Sequence, residues 1–546
     1  MSYPPELPTG PSNGHSARRK SILDIGGPNS INNFASSYSR AQSYVGSTLL
    51  EQTESEMRLN DEMSPNTSPF LRPADIDEVA IGEEEDDELE GFTPTGYNHI
   101  RTFQFPNSST EESPLLQSSS TSTRKLSMSS IASGSRFSAN STGPQTVFNS
   151  INTLLGIAML TLPFGFKLTG WILGSILLIV SSALTDATAK YLGRILRKHP
   201  ELNTYGDIAH LYGGQSVAIL VTCMFTLDLI MASLSLTLLF TDSFALLLPN
   251  IPHTYFKACI ISIAFVLSLL PLSILSLLSL VGILCTVAII VIIIICGVLV
   301  DSSPGSLIMP AATNLWPSKA EHVLLSLGIF MAPWGGHPVF PELYRDMRHP
   351  KKFSHCCNVS FAITFLFDYF IGIIGFLMYG LSCEDSIIKN LMSNPNYPSW
   401  VNPLICTFMG LVPVSKLPLL TKPIVTVYEQ LLGLNTHRRL SKSGSGSSFH
   451  KQEDPYYYTR IVCRFFYCGF LFTVSLLFNS FGKLVSFVGA AICFTLCLVL
   501  PFLFYLHFFK DELSRVHKAA LVAGIAFGIA GSVLGTYASI TMDVNI

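Results

Sequence analysis

From residue 144 onward the chain is a succession of apolar runs separated by short polar gaps. Each run is near the ~20 residues that a helix needs to cross a bilayer. With 48% hydrophobic and 13% charged residues over 546 positions, the chain is too apolar for a soluble enzyme, so the bilayer is its solvent. Eleven runs are read, near 144–166, 170–192, 215–240, 256–275, 277–300, 321–341, 357–380, 400–432, 460–479, 483–508 and 517–540. All are expected to be helices, giving an all-α membrane protein with 11 transmembrane helices. A span has to satisfy its backbone hydrogen bonds internally, and nothing here alternates like a barrel strand.

Residues 1–140 contrast with this membrane domain of residues 141–546. They are rich in Ser, Pro, Asn and Glu, with an acidic block from Glu83 to Glu90. Such a composition buries too little apolar surface to offset chain entropy and predicts a disordered tail. One stretch, Gly26 to Gln42, has apolar residues at helical spacing and is a candidate for docking. No apolar core follows Arg18, Arg19 and Lys20, so no cleaved signal peptide is expected.

With the tail in the cytosol, sixteen Lys and Arg fall on the loops of its side. Five fall opposite: Lys167, Lys257, Lys319, Lys389 and Lys483. The excess of positive charge predicts a cytosolic N-terminus and places Ile546 on the far side. The sequons at Asn66, Asn107, Asn140 and Asn358 should then stay unglycosylated. The cysteines lie mostly inside apolar runs without metal-type spacing, so no metal site is expected. Cys356 and Cys357 beside a basic loop read as acylation sites or, preferably, as small apolar filler.

Two runs are interrupted in the middle. The first carries Gly156, Pro163 and Gly165, and the sixth carries Pro333, Gly335, Gly336, Pro338 and Pro341. These residues weaken or forbid a regular helix. Irregular backbone at membrane depth is tolerated where it lines a cavity, and breaks at matching places in two halves point to a transport site. With five spans per half, spans one and six are the first members of an inverted 5+5 repeat. Half-helix ends offer N–H groups to a carboxylate and freed carbonyls to an ammonium, which suits a zwitterion. The carboxylate is expected at Gly156, Ile157, Ala158 and Met159, near Asn152. The amine and side chain are expected at Phe330, Trp334, Gly335 and Gly336, with both aromatics as walls. The competing reading is that these residues only kink packed helices.

Ionisable residues inside spans are costly and so are functional candidates. Asp228, Ser235 and Asp242 recur every seven residues along one face of span three. Asp228 reads as a proton carrier or as a carboxylate bonded to hydroxyls. Lys416 lies among Pro413, Pro418 and Pro423, where no straight helix is expected, and its ammonium is placed to stand in for a sodium ion. Lys422 is expected to pair with Glu429 or to snorkel. Asp186 and Asp368 are left unassigned, at an inner rim. His337 suits a sensor of an acidic lumen, or a cap on the half-helix.

The segment Asn149 to Pro163 resembles the N-x-x-x-G-x-G-x-L-x-x-P signature of the amino acid/auxin permease family. Gly335 to Met347 is similar to the G-H-x-x-x-P-x-x-x-R-D-M segment of its vacuolar and vesicular amino acid transporter branch, and Gly375 to Gly380 and Pro413 to Pro418 resemble that branch as well. Gly26 to Gln42 resembles the tail of fungal vacuolar importers. The resemblance implies a LeuT-like fold and exchange of neutral amino acids against protons, importing into the vacuolar lumen. It leaves open proton-coupled export, or an amino-acid-sensing receptor of the same fold. Ala158 stands where the family pattern has its second glycine, which narrows the pocket by a methyl. Glu111, Leu115 and Leu116 resemble an acidic dileucine sorting signal read by adaptor coats, and Ser21 and Ser127 follow basic residues as kinase sites do. The expected partners are neutral amino acids, protons and membrane lipid, with no cofactor, no nucleic acid and no enzymatic activity.

Overall fold

A computed structural model of the protein describes residues 36, 37, 40, 141–270, 272–431, 457–478 and 480–542. Among these the regular structure is helical, apart from one isolated parallel bridge between Ser141 and Met347.

The first run is broken where its glycine stands. Helix α1 (Gly143–Leu154) starts where Gln145 accepts the Thr142 N–H through its side chain. Leu155 and Gly156 then leave helical geometry, Gly156 with φ −108 and ψ −174. A 3-10 turn follows at Ile157–Thr161 and leads into α2 (Leu162–Lys198). The first and second runs meet inside α2 at Gly170, whose φ of +73 turns the chain. A Cβ there would lie 2.5 Å from the backbone of Leu315, so the position requires glycine.

Helix α3 (Tyr205–Leu247) opens with a capping box at Thr204 and Asp207 and bends at Gly213 and Gly214, so its apolar stretch begins near the expected residue 215. Then come α4 (His253–Ser268) and α5 (Leu272–Leu299). The sixth run divides into α6 (Ala320–Met331), short turns at Ala332–Trp334 and His337–Val339, and α7 (Phe340–Asp346). After α8 (Phe353–Tyr379) the sequence reading missed a short helix, α9 (Ile387–Ser393). Helix α10 (Val401–Leu431) runs without interruption through Pro413, Pro418 and Pro423. Next are α11 (Tyr457–Leu477), α12 (Phe481–Phe487), a π-helical stretch at Val488–Val499, α13 (Leu500–Phe508) and α14 (Arg515–Thr541).

Nine helices among the described residues are long and apolar enough to cross a membrane. The first of the eleven runs lies in pieces, α1 and the start of α2, and the fourth lies in the shorter α4. The sixth and tenth runs touch backbone to backbone: a Cβ on Gly489 would sit 1.8 Å from the Gly328 oxygen, and one on Gly328 would sit 2.0 Å from the Ser486 oxygen. The Ser486 hydroxyl donates to Leu325 O at 2.7 Å in the same contact.

Candidate functional site

The two breaks share one cavity of about 240 Å3. The first break contributes Asn152, Gly156, Ile157 and Ala158, and the second contributes Ala332, Pro333, Gly335 and Val339. Helix α3 adds Asp228 and Ser235, and α10 adds Lys416. Thr153 and Cys493 also line it, and the rest of the wall is apolar, with Phe225, Leu229, Leu236, Leu419, Leu420, Val485 and Val488.

The break and the charge on α10 are joined directly. Lys416 Nζ donates to Leu155 O at 3.3 Å, at the point where α1 ends. A carbonyl that leaves a helix at membrane depth needs such a partner, because no water is there to supply one. Asn152 Nδ2 lies 3.5 Å from Ser279 Oγ of α5, and Asn152 Oδ1 is buried with no hydrogen-bond partner among the described residues. Asp228 and Lys416 thus put one carboxyl and one amine on the wall of a largely apolar chamber.

Asn152, Gly156, Ile157, Ala158, Gly335, Asp228 and Lys416 are therefore brought together by the fold. Met159 lines a smaller neighbouring void with Gly156, Ile157 and Thr286. Phe330 and Trp334 do not line the main cavity. Both are fully buried behind the second break, Phe330 edge-on to Phe166 at 5.5 Å and Trp334 stacked on Phe361 at 5.7 Å. The Trp334 indole N–H donates to Phe330 O at 3.1 Å, within its own turn. Gly336 also lies outside the lining and packs against Leu154 and Thr153, where a Cβ would come within 3.1 Å of both.

His337 is fully buried and does not line the cavity. Its Nε2 lies 3.0 Å from Thr185 O and 2.9 Å from Thr188 Oγ1, while Thr188 Oγ1 also lies 2.7 Å from Cys497 O. A carbonyl only accepts, so Nε2 carries the proton, and the Thr188 hydroxyl is left to donate to Cys497 O. Nδ1 is buried without a hydrogen-bond partner among the described residues. The ring acts as a strut from the second break to α2 and the π-helical stretch.

The rest of the motif after His337 is also structural in its contacts. Arg345 caps the end of α2: Nε donates to Leu202 O at 2.7 Å, and Nη2 donates to Leu196 O at 3.1 Å and His199 O at 2.9 Å. A cation at a helix C-terminus also meets the negative end of the dipole. Asp346, 1% exposed, accepts from Ser141 Oγ and pairs with Arg40 at 3.2 Å. Ser37 Oγ meets Ser141 Oγ at 2.6 Å and accepts from Asn149 Nδ2 at 2.9 Å. The stretch Gly26 to Gln42, read as a docking segment, is described only at Ser36, Ser37 and Arg40, and Ser37 and Arg40 touch both broken runs.

The other charged candidates have local partners. Asp186 pairs with Lys190 one turn on. Lys422 donates to Leu270 O at 2.7 Å, and the Glu429 side chain lies outside the described residues. Asp242, the last member of the seven-residue series, does not line the cavity. It pairs with Lys389 at 2.9 Å, which also pairs with Asp385 at 2.9 Å, and Asp385 accepts from Gly482 N at 3.0 Å. Burial lowers the pKa of Lys389, but Asp385 and Asp242 outweigh it and hold the ammonium above its ordinary value. Glu111, Leu115, Leu116, Ser21, Ser127, Asn66, Asn107 and Asn140 lie outside the described residues.

Sequence reasoning missed the apolar wall. In a span, a leucine facing lipid and one facing a chamber belong to the same apolar run, so Leu229 and Leu419 carry no distinguishing signal.

Spans with two breaks walling a common cavity define a multi-pass membrane protein with a central site. The family described as transmembrane amino acid transporter protein matches residues 139–541, and the chain belongs to that family. This bears out the resemblance carried by the two broken runs. Among its relatives is Amino acid transporter AVT1E of Arabidopsis thaliana, 24% identical over 72% of this chain and 72% of that protein. Amino acid transporter AVT1H of Arabidopsis thaliana is 27% identical over 74% of this chain and 90% of that protein. A solved structure of a Na+-coupled sialic acid symporter, in a substrate-bound outward-open state, matches with 12% identity and a TM-score of 0.42, covering 73% of this chain and 89% of that one. The chain is thus one of a family of amino acid transporters rather than of enzymes.

Proposed function

We propose that the protein moves neutral amino acids across the vacuolar membrane in exchange for protons, importing into the lumen. The observation that carries this reading is the single cavity into which both breaks, Asp228 and Lys416 open together. The carboxylate of the substrate meets the backbone at Gly156 to Ala158, and its ammonium meets the second break at Ala332 to Gly335. Asp228 carries a proton, and Lys416 fills the place that a sodium ion takes in a sodium-driven cycle. Eleven traversals in an inverted 5+5 LeuT-like arrangement fit the positions of the two breaks, and the Lys and Arg excess sets the tail in the cytosol. Neutral cargo suits a wall whose charged groups are one carboxyl and one amine, set among Asn152, Thr153, Ser235 and apolar surface: Asp228 carries a proton and Lys416 is engaged by Leu155 O, so an added charge on the substrate side chain would have no partner there.

The test is uptake of individual labelled amino acids into vesicles that hold the purified full chain under an imposed pH gradient. Accumulation driven by the gradient is expected for neutral amino acids, inward when the interior is acidic. Asp228→Asn is expected to remove at least one coupled proton, lowering accumulation by about tenfold or more at one unit of pH gradient, while exchange of substrate for substrate persists. If no amino acid is moved and none binds, the reading fails.

A further inference from the structure

Outside the cavity, Asp368 is a buried carboxyl with no assigned role. Asp368, in the middle of α8, is 1% exposed, and its Oδ2 has no hydrogen-bond partner among the described residues. One turn before it, the hydroxyl of Thr364 is likewise fully buried and unpartnered among the described residues. A buried polar group left in this state costs roughly 1–3 kcal/mol, and far more if it carries charge.

Its place along α8 can be read from the contacts below it. Cys356 Sγ approaches Gly143 O at 3.8 Å, and Ser360 Oγ approaches Val147 O at 3.4 Å. Helices α1 and α8 therefore run in parallel, four residues of one against four of the other. Continued for two further turns, this register sets Thr364 opposite Ile151 and Asp368 opposite Leu155. Leu155 is where α1 ends, and its carbonyl takes the Lys416 ammonium. The break is thus flanked by Lys416 on α10 and, by register, Asp368 on α8.

We propose that Asp368 is a second proton-binding site of the transport cycle, filled in this conformation and emptied when the first break rearranges. The inference rests on the transport reading above and adds a residue to it. An isolated carboxylate in this position would lose its solvation with nothing in return, so the carboxyl holds its proton here. Rearrangement of the break admits water beside Asp368. The carboxyl O–H bond then breaks, the proton passes to that water, and the carboxylate is left until the opposite side supplies a proton.

Among the described residues, the charged groups around α8 lie far from Asp368, which leaves the break as the place at which its state is altered. Helix α1 and the turn at Ile157–Thr161 carry no titratable side chain, and α5 brings Cys285 and Cys296 alone. From α2, Asp186, paired with Lys190, bears on Cys357, and Lys167 donates to Cys383 O. Lys351 and Lys352 precede α8. Cys296, the Asp186–Lys190 pair, Lys167, Lys351 and Lys352 lie toward the two ends of α8, about 16 Å or more along the axis from Asp368. On α8 itself, Tyr369 is turned to Ser175, at 3.3 Å.

The experiment measures the steady accumulation ratio of a neutral amino acid in vesicles that hold the full chain, with the membrane potential clamped at zero and the pH gradient varied. Two proton sites predict a slope of two in the logarithm of the ratio against the gradient, about a hundredfold per pH unit. Asp368→Asn should lower the slope to one, a tenfold loss per unit, with substrate exchange retained. Asp368→Glu should restore it. A variant that only loosened packing would slow transport without moving the slope. If Asp368→Asn does not fold, the wild type still decides: a slope of one in the wild type overturns the proposal, as does a slope of two in a folded Asp368→Asn protein. Absence of any transport by the wild-type chain overturns this inference together with the reading on which it rests.

Discussion

Lys416→Met is the sharpest test of how the first break is held. Methionine keeps most of the apolar stem and removes the ammonium that donates to Leu155 O at 3.3 Å. A hydrogen bond to a charged group is worth about 1.5–3 kcal/mol, and the loss here leaves a carbonyl at membrane depth without that donor. The break lines the cavity through Gly156, Ile157 and Ala158, so a ligand that needs this backbone geometry has to restore it on binding. At 1.4 kcal/mol per decade, the expected loss of affinity is about ten- to a hundredfold. Purified protein is titrated with a transported amino acid, and uptake is measured in parallel with and without sodium. If the ammonium stands in for a sodium ion, the variant should regain part of its affinity when sodium is added, whereas the wild type should show no response. Affinity within twofold of wild type, with unchanged uptake, would refute the account of the break.

Three further expectations concern the frame. Gly489→Ala places a Cβ 1.8 Å from the Gly328 oxygen, backbone against backbone with no flexible side chain to yield; it should cost about 1–3 kcal/mol or more and lower the Tm of the purified protein. Arg345→Met strips a donor from Leu196, His199 and Leu202 and should lower the Tm further than Arg345→Lys, because lysine lacks the fork that spans several carbonyls. Lys389→Met leaves Asp242 and Asp385 facing each other and should cost about 1–3 kcal/mol. The raised pKa of Lys389 means that its contribution is fully present below the unfolded value, about 10.4, and is lost only as pH rises through the higher folded one. The ammonium is therefore in place across the range from about pH 5 to about pH 8, and the Tm loss should be seen at both ends of it.

The parts of the site that were legible in the sequence are those where chemistry departs from the apolar background. Gly156 and the cluster from Pro333 to Pro338 announce broken helix because their backbones cannot continue it. Asp228 and Lys416 stand out because a charge in a span is expensive. Facing direction is a different matter. Phe330 and Trp334 were read as walls from their closeness to the break, yet both turn into the packing against Phe166 and Phe361, while Phe225 on another helix takes the cavity side. An aromatic in a span gains burial on either face, so sequence position alone does not choose between them. Gly170 shows the same limit for backbone: it reads as one of many glycines, and only the approach of Leu315 reveals why the chain turns there.

Of the motif that ties the sixth run to its family, Gly335 and Val339 line the cavity, while its polar side chains His337, Arg345 and Asp346 sit away from it. His337 braces the second break on Thr185 and Thr188, Arg345 closes the end of α2, and Asp346 gathers Ser141 and Arg40. Each contact ties a half-helix of a broken run to something that is not broken, or to the other broken run. That division has a physical reason. A half-helix has lost the hydrogen bonds that would fix it to its continuation, so its position has to be set from outside, by groups strong and directional enough to act at membrane depth. Apart from Lys416, which holds Leu155 O, the side that faces the cavity is then free of this duty. Small and apolar residues such as Ala158, Leu229 and Leu419 can occupy it without loosening the frame. The braces therefore fix the frame of the breaks, and on the transport reading proposed above it is the wall they hold in place that meets the cargo.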